Sequence, residues 1–234
     1  MPKALVTLAI GSGCLDPWSR YLRSGWEAWC RQHGYVLVVF TESLDNSAMA
    51  SRRSPAWQKL LAMASPELSR FDQALWVDAD ILIEDHAPDP LNVVDTNMIA
   101  MVRDVGSPLS PQPDWFKNAW RKILRLSLQN ECLNSYYDLW GFDSSKRILY
   151  NTGVIAFSPA LHRDLFMRIY ELWSDGGDGA LHEMIPLNLV VQQLGLMQEL
   201  DVRFNQLAGV QKAVWLEAPA AVLQLHSISG EVCD

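Results

Sequence analysis

Two aspartates one residue apart, Asp78 and Asp80, stand directly behind an apolar run in LWVDADILI. Carboxylates at i and i+2 offer hard oxygen ligands. Mg2+ and Mn2+ take such oxygens and share their shell with substrate phosphates. In an open α/β sheet, ligands bind outside the carboxyl ends of the strands. A strand that runs into two acids therefore delivers both to the place where a ligand sits. The plain alternative is a polar strand exit at a surface turn.

Four further positions carry candidate chemistry. His226 ends the run AVLQLH, where a histidine either completes a metal site with two carboxylates or caps the strand. Asn151 and Gly153 stand near the start of LYNTGVIAF. The Asn151 amide donates and accepts, which suits sugar hydroxyls, and Gly153 allows close backbone approach to a ligand. That segment also reads as a strand that begins at a turn. Glu183 lies just before the helix start at Pro186, so it either caps the helix or faces a substrate. Lys59 falls off the apolar stripe of Trp57, Leu60, Leu61 and Ala64. It is a phosphate or carboxylate partner, or a solvated helix lysine.

The elements that position these residues follow from pattern. Residues 4–10 form a continuous apolar run, as in a parallel strand buried on both faces. Gly11, Ser12 and Gly13 read as a turn. Asp16-Pro17 then reads as an N-cap and first helical residue, with the helix running to about His33 and stopping at Gly34. Residues 35–41 predict a second strand, 42–53 a polar, mobile loop, and Ser54-Pro55 the start of another helix. Residues 73–77 predict the third strand, which feeds the two aspartates, and 97–102 the fourth. The chain then reads as a loop over 106–114, helix over 115–128 and irregular over 129–147. Strand over 149–157, helix over about 159–173 and a flexible loop at 174–179 follow. Helix over about 186–196 and strand over 221–226 complete the reading. The leading βαβαβ order predicts a mostly parallel, doubly wound sheet with a mixed extension, in one domain over 1–234. Residues 1–104 and 105–234 are its two expected parts.

Composition narrows the classes. The 234 residues carry 27 acidic against 19 basic side chains, a net charge of −8. That balance gives no footprint for nucleic acid. An acidic protein that binds a phosphate ester needs a local cation, and a bound metal is the simplest supply. Four scattered cysteines without a C-x-x-C spacing read as reduced thiols, in keeping with a cytoplasmic setting. No apolar stretch approaches the roughly 20 residues that span a bilayer. Peripheral membrane contact stays open. Most of the ten tryptophans are expected in the core, some against a sugar face.

In order along the chain, these motifs resemble the metal-dependent glycosyltransferases of the GT-A fold. The resemblance is to the glycogenin-like and lipopolysaccharide-galactosyltransferase group, and to the neighbouring α-1,2-galactosyl- and α-1,6-mannosyltransferase family. It rests on SPAWQK followed by LWVDADILI, the strand ending at Asp104, YNTGVIAF, Leu187-Asn188 with DVRFN, and LHSISG. It covers about residues 50–230.

The resemblance implies an α/β fold of GT-A type, a Rossmann-like mixed sheet flanked by helices, with residues 1–104 as its nucleotide-binding part and 105–234 as its sugar and acceptor part. It implies Mn2+ or Mg2+ on Asp78 and Asp80, with His226 as third ligand and the metal against the donor's diphosphate. Leu8 and Ala9 would line the nucleoside pocket, while Asn151 and Gly153 would face sugar or acceptor. The implied reaction moves a hexose from a nucleoside diphosphate sugar, a UDP-sugar before a GDP-sugar, to a saccharide or other hydroxyl acceptor with retention. Asp78, Asp80 and Glu183 would be its catalytic carboxylates. Two positions depart from the family pattern. Gly230 is followed by Glu231-Val232-Cys233-Asp234 in place of Lys-Pro-Trp, and Met184 stands where the family has Gln. Two other readings remain: a haloacid dehalogenase-type phosphatase with Asp78 as nucleophile, and a nucleotide-sugar-binding protein that has lost catalysis.

Overall fold

A computed structural model describes residues 2–104, 148–173, 182–207 and 229–230. Within these, β1 (Lys3–Leu8), β2 (Tyr35–Phe40) and β3 (Gln73–Val77) pair in parallel, with β1 in the middle. The sheet continues through β4 (Ile99–Arg103), β5 (Tyr150–Phe157) and β6 (Met197–Leu200) in the order β2-β1-β3-β5-β4-β6. β5 is antiparallel to both β3 and β4, whereas β4 and β6 are parallel. The sheet is therefore mixed and mostly parallel. Because β5 runs against its neighbours, its first residues meet the carboxyl ends of β3 and β4. This reversal carries Asn151 and Thr152 to the edge where Asp78 emerges.

Side-chain alternation fills both faces. Ala4, Val6, Ala74, Trp76, Met101 and Ile155 pack on one side, and Leu5, Leu75, Val77, Ala100, Val102 and Val154 on the other. The first face is covered by α3 (Gln58–Met63), α4 (Pro159–Leu172) and α5 (Met184–Gln193), through residues such as Leu60, Phe166 and Leu187. The second is covered by the helical run after β1: α1 (Ser12–Pro17), a π turn (Trp18–Leu22) and α2 (Arg23–His33). Trp18, Trp26 and Trp29 fill that side, as expected of most tryptophans here. Burial pushes the Cys30 thiol up to about 12, with Glu27 adding to it, so this thiol stays protonated. A short second sheet pairs β7 (Gln206–Leu207) with β8 (Ser229–Gly230).

Four local readings are corrected. The first helix starts at Ser12, four residues before the expected N-cap Asp16. Gly11 at φ 76° makes the turn, and its carbonyl already accepts from the Leu15 N–H at 2.9 Å. Pro17 thus lies inside the helix without an N–H to give, and the π turn follows directly. The loop over 42–53 is pinned in place. Gln58 Oε1 accepts from the Leu44 and Asp45 N–H groups at 2.6 and 3.2 Å, and Tyr170 OH donates to Asp45 at 2.6 Å. β6 was expected within no strand at all. α5 begins two residues ahead of Pro186, whose ring fits the first turn where an N–H has no intrahelical partner anyway. Among the described residues no helix is long and apolar enough to cross a membrane.

Candidate active site

The carboxyl edge of β1 and β3 opens into a cleft of about 510 Å³. Leu8 and Ile10 line it from the end of β1, Ser54 to Ala56 and Lys59 from the start of α3, and Asp78, Ala79 and Asp80 from the end of β3. His182 closes the wall.

The acid-bearing turn is held from three sides. The Asp78 N–H donates to the Gly153 carbonyl at 2.8 Å, the last rung between β3 and β5. The Ile81 N–H donates to the Asp78 carbonyl at 3.1 Å, which tightens the turn over Ala79 and Asp80. Behind it, Trp26 Nε1 donates to the Ile81 carbonyl at 2.9 Å and Trp29 Nε1 to that of Ala87 at 2.8 Å. Two buried indoles from α2 thus fix the backbone that carries the carboxylates.

The two aspartates live in different surroundings. The Asp78 carboxylate accepts from Trp76 Nε1 at 2.7 Å and pairs with Lys59 Nζ at 3.0 Å. Lys59 is 5% exposed, which overturns the solvated-lysine alternative. Its ammonium also meets Glu183 Oε1 at 2.9 Å and donates to the Thr152 carbonyl at 3.0 Å. Burial alone would lower its pKa, but Asp78 and Glu183 outweigh burial and hold it above the ordinary lysine value. Among the described residues Asp80 has no such partner. Burial, with the neighbouring Asp78 charge second, raises its carboxyl above the usual carboxylate value, and Lys59 offsets this only in part. Asp78 is thus paired with a cation, whereas Asp80 is a partly desolvated carboxylate at the cleft without an ion pair of its own among the described residues.

Glu183 precedes α5, but its side chain makes no cap there. It turns inward, 3% exposed, and accepts from Thr152 Oγ1 at 3.0 Å as well as pairing with Lys59. The capping alternative is thereby set aside. Asn151 Oδ1 accepts from the Gly153 N–H at 2.8 Å and from Asn205 Nδ2 at 2.7 Å. A Cβ on Gly153 would fall 2.9 Å from Asn151 Oδ1 and 3.1 Å from Asn205 Nδ2. The space that glycine leaves is therefore filled by two amides of this chain, and Gly153 supports the turn from behind. Ala9 is fully buried; its N–H donates to the Phe40 carbonyl at 2.8 Å while Leu8 and Ile10 face the cleft. His226 lies outside the described residues, as do residues 174–181. Among the described residues no group of three His, Cys, Asp or Glu side chains gathers as a metal site.

Two participants escape a reading by sequence. Thr152 joins the buried cluster as a hydroxyl inside an apolar strand, which carries no signal of its own. His182 enters the cleft wall through backbone geometry that its neighbours in sequence do not announce.

No protein-family model and no characterised protein sequence matches the chain. Solved structures do. A glycosyltransferase involved in glycosylation of the major capsid of PBCV-1 superposes with a TM-score of 0.60 at 14% identity, covering 100% of this chain and 94% of that one. Mouse xyloside xylosyltransferase 1 in its apo form gives 0.56 at 9%, covering 100% and 98%. The galactosyltransferase LgtC, in complex with donor and acceptor sugar analogues, gives 0.54 at 12%, covering 98% and 87%. The chain has the GT-A fold of glycosyltransferases, as the motif order implied.

Proposed function

We infer that this chain is a glycosyltransferase that moves a hexose from a nucleoside diphosphate sugar to a hydroxyl acceptor. The observation that carries this reading is Asp80. Its raised carboxyl sits at the cleft, while the ammonium of Lys59, which offsets this in part, is already paired with Asp78 and Glu183. A hard divalent cation is the group such a donor set fits. Asp80 and the outer oxygen of Asp78 would hold Mn2+ or Mg2+, with His226 as the expected third ligand. A cation there supplies Lewis-acid charge for the departing diphosphate.

The chain's own residues do the rest. Leu8 and Ile10 offer an apolar wall for the nucleoside, and UDP is the nucleotide expected from the resemblance. Lys59 holds Asp78 and Glu183 in fixed positions, so the acceptor oxygen and anomeric carbon meet in a preorganised setting. The acceptor hydroxyl forms the new bond to that carbon and loses its proton, while the bond to the diphosphate oxygen breaks. Retention and a saccharide acceptor are carried over from the resemblance. Met184 brings no amide to the family's Gln position, and Glu183 precedes it directly in sequence. The fold shared with glycosyltransferases gives the phosphatase alternative no support.

Release of nucleoside diphosphate from a panel of UDP- and GDP-sugars, with Mn2+ and mixed saccharide acceptors, tests the reading. Turnover of one donor, abolished in Asp80→Asn, is expected. Tight metal-dependent nucleotide binding without turnover of any donor would favour the binding-protein alternative.

A further inference from the structure

His182 has a backbone φ of 44°, and it is the one non-glycine residue with positive φ among the described residues. Side chains with a Cβ rarely adopt this region, and histidine is among those that tolerate it. Such outliers persist only where the surroundings impose them, and they gather at ligand clamps. Here the imposing element is the next residue. Glu183 is locked inward by Lys59 and Thr152, and α5 starts directly behind it. The imidazole is thereby held in the cleft wall with Asp78 and Asp80. Its Nδ1 is buried with no hydrogen-bond partner among the described residues. Buried polar atoms are nearly always paired, so this ring calls for a partner that the described residues do not provide.

We propose that His182 is a contact to the transferred sugar of the donor, hydrogen-bonding one of its hydroxyls. The inference rests on the transferase reading of the cleft. A neutral imidazole carries one N–H and one lone pair, and a hydroxyl both donates and accepts. A sugar hydroxyl therefore satisfies the ring in either tautomer, whereas a phosphate oxygen only accepts. The ring turns about a broad two-fold χ2 torsion, so either nitrogen can meet the ligand. The path Asp78–Lys59–Glu183 also sets His182 beside the acid pair, where the diphosphate and its sugar join. The apolar wall of Leu8 and Ile10 is left for the nucleoside.

Calorimetric titration in Mn2+ with UDP, GDP, UDP-glucose, UDP-galactose and GDP-mannose tests this on wild type, His182→Gly and His182→Asn. Glycine accepts φ 44° without strain, so the first variant keeps its melting temperature while losing the ring. It should bind the free nucleotide within about twofold of wild type. It should bind the matching nucleotide sugar about three- to tenfold more weakly, the range of one hydrogen bond. Asparagine tolerates the backbone and keeps a donor and an acceptor, so it should recover part of the loss. Equal weakening of nucleotide and nucleotide sugar would overturn the proposal in favour of a phosphate contact. Unchanged sugar binding in His182→Gly would also overturn it. A wild type that binds no nucleotide would instead sink the transferase reading itself, and this inference with it.

Discussion

Lys59 Nζ stands 2.9 Å from Glu183 Oε1, with the two side chains 6% and 3% exposed. The pair joins the first turn of α3 to the residue that precedes α5. With Asp78 on its other side, the lysine ties the cleft floor to the cleft wall. Removing one member of a buried pair leaves its partner's charge uncompensated, which is worse than replacing both. Lys59→Met should therefore destabilise the protein by about 3–5 kcal/mol in urea unfolding. The double variant Lys59→Met/Glu183→Leu should recover part of that cost. A single variant as stable as wild type would show that the pair does not hold the fold.

Gly153 bears on the site from behind. Its carbonyl receives the Asp78 N–H, and the missing Cβ leaves room for Asn151, Asn205 and Ile81. Gly153→Ala should cost about 1–3 kcal/mol through overpacking. It should also weaken nucleotide binding, because relief of the clash shifts the rung that holds Asp78. Unchanged stability and binding would mean that the amides give way without moving the turn.

His162 sets a pH dependence away from the site. Its Nδ1 accepts from the Ser158 N–H at 3.1 Å, and Nε2 meets the Asn97 carbonyl at 3.2 Å. Burial holds its pKa below the ordinary 6.5, more than the Asn97 contact raises it. As pH falls, the unfolded chain takes up this proton first. The stability from the neutral ring is complete above about pH 6.5 and is lost as pH drops through the lower folded value. The loss has an upper limit of about 1.4 kcal/mol per pH unit for one proton. Urea unfolding between pH 7.5 and 5.5 should show a steeper decline in wild type than in His162→Gln. Equal slopes would contradict this.

Arg53 fastens the 42–53 loop. Its guanidinium donates to the carbonyls of Tyr170 and Trp173 at the end of α4 and lies 4.4 Å from the Trp57 ring centroid. Arg53→Ala should cost about 2–3 kcal/mol, from charge-assisted hydrogen bonds and the ring contact. It should also speed limited proteolysis within 42–53. Arg53→Lys should recover little, since a point charge cannot bridge two carbonyls as a planar fork does.

Much of this architecture was legible because the signals were local. The apolar runs behind β1, β2 and β3 and the acids that end β3 stand in sequence as they stand in space. The rest depended on contacts between distant segments. MQEL carries no strand pattern, and β6 exists because β4 offers it a parallel edge. The direction of β5 is a property of the sheet and not of YNTGVIAF. Lys59 lies off the apolar stripe of α3, yet it is buried because Asp78 and Glu183 arrive from elsewhere. Pro17 signalled a helix start, but Gly11 had already turned the chain. The expectation for His226 falls outside the described residues.

The central claim is that Asp80 holds a divalent cation for a nucleoside diphosphate. Calorimetric titration of UDP and GDP, with and without Mn2+, on wild type and Asp80→Asn addresses it most directly. The account predicts that one nucleotide binds wild type only with Mn2+, and that Asp80→Asn loses this binding while its melting temperature stays at or above that of wild type. Binding that is indifferent to Mn2+ or to Asp80, or no binding at all, would contradict it.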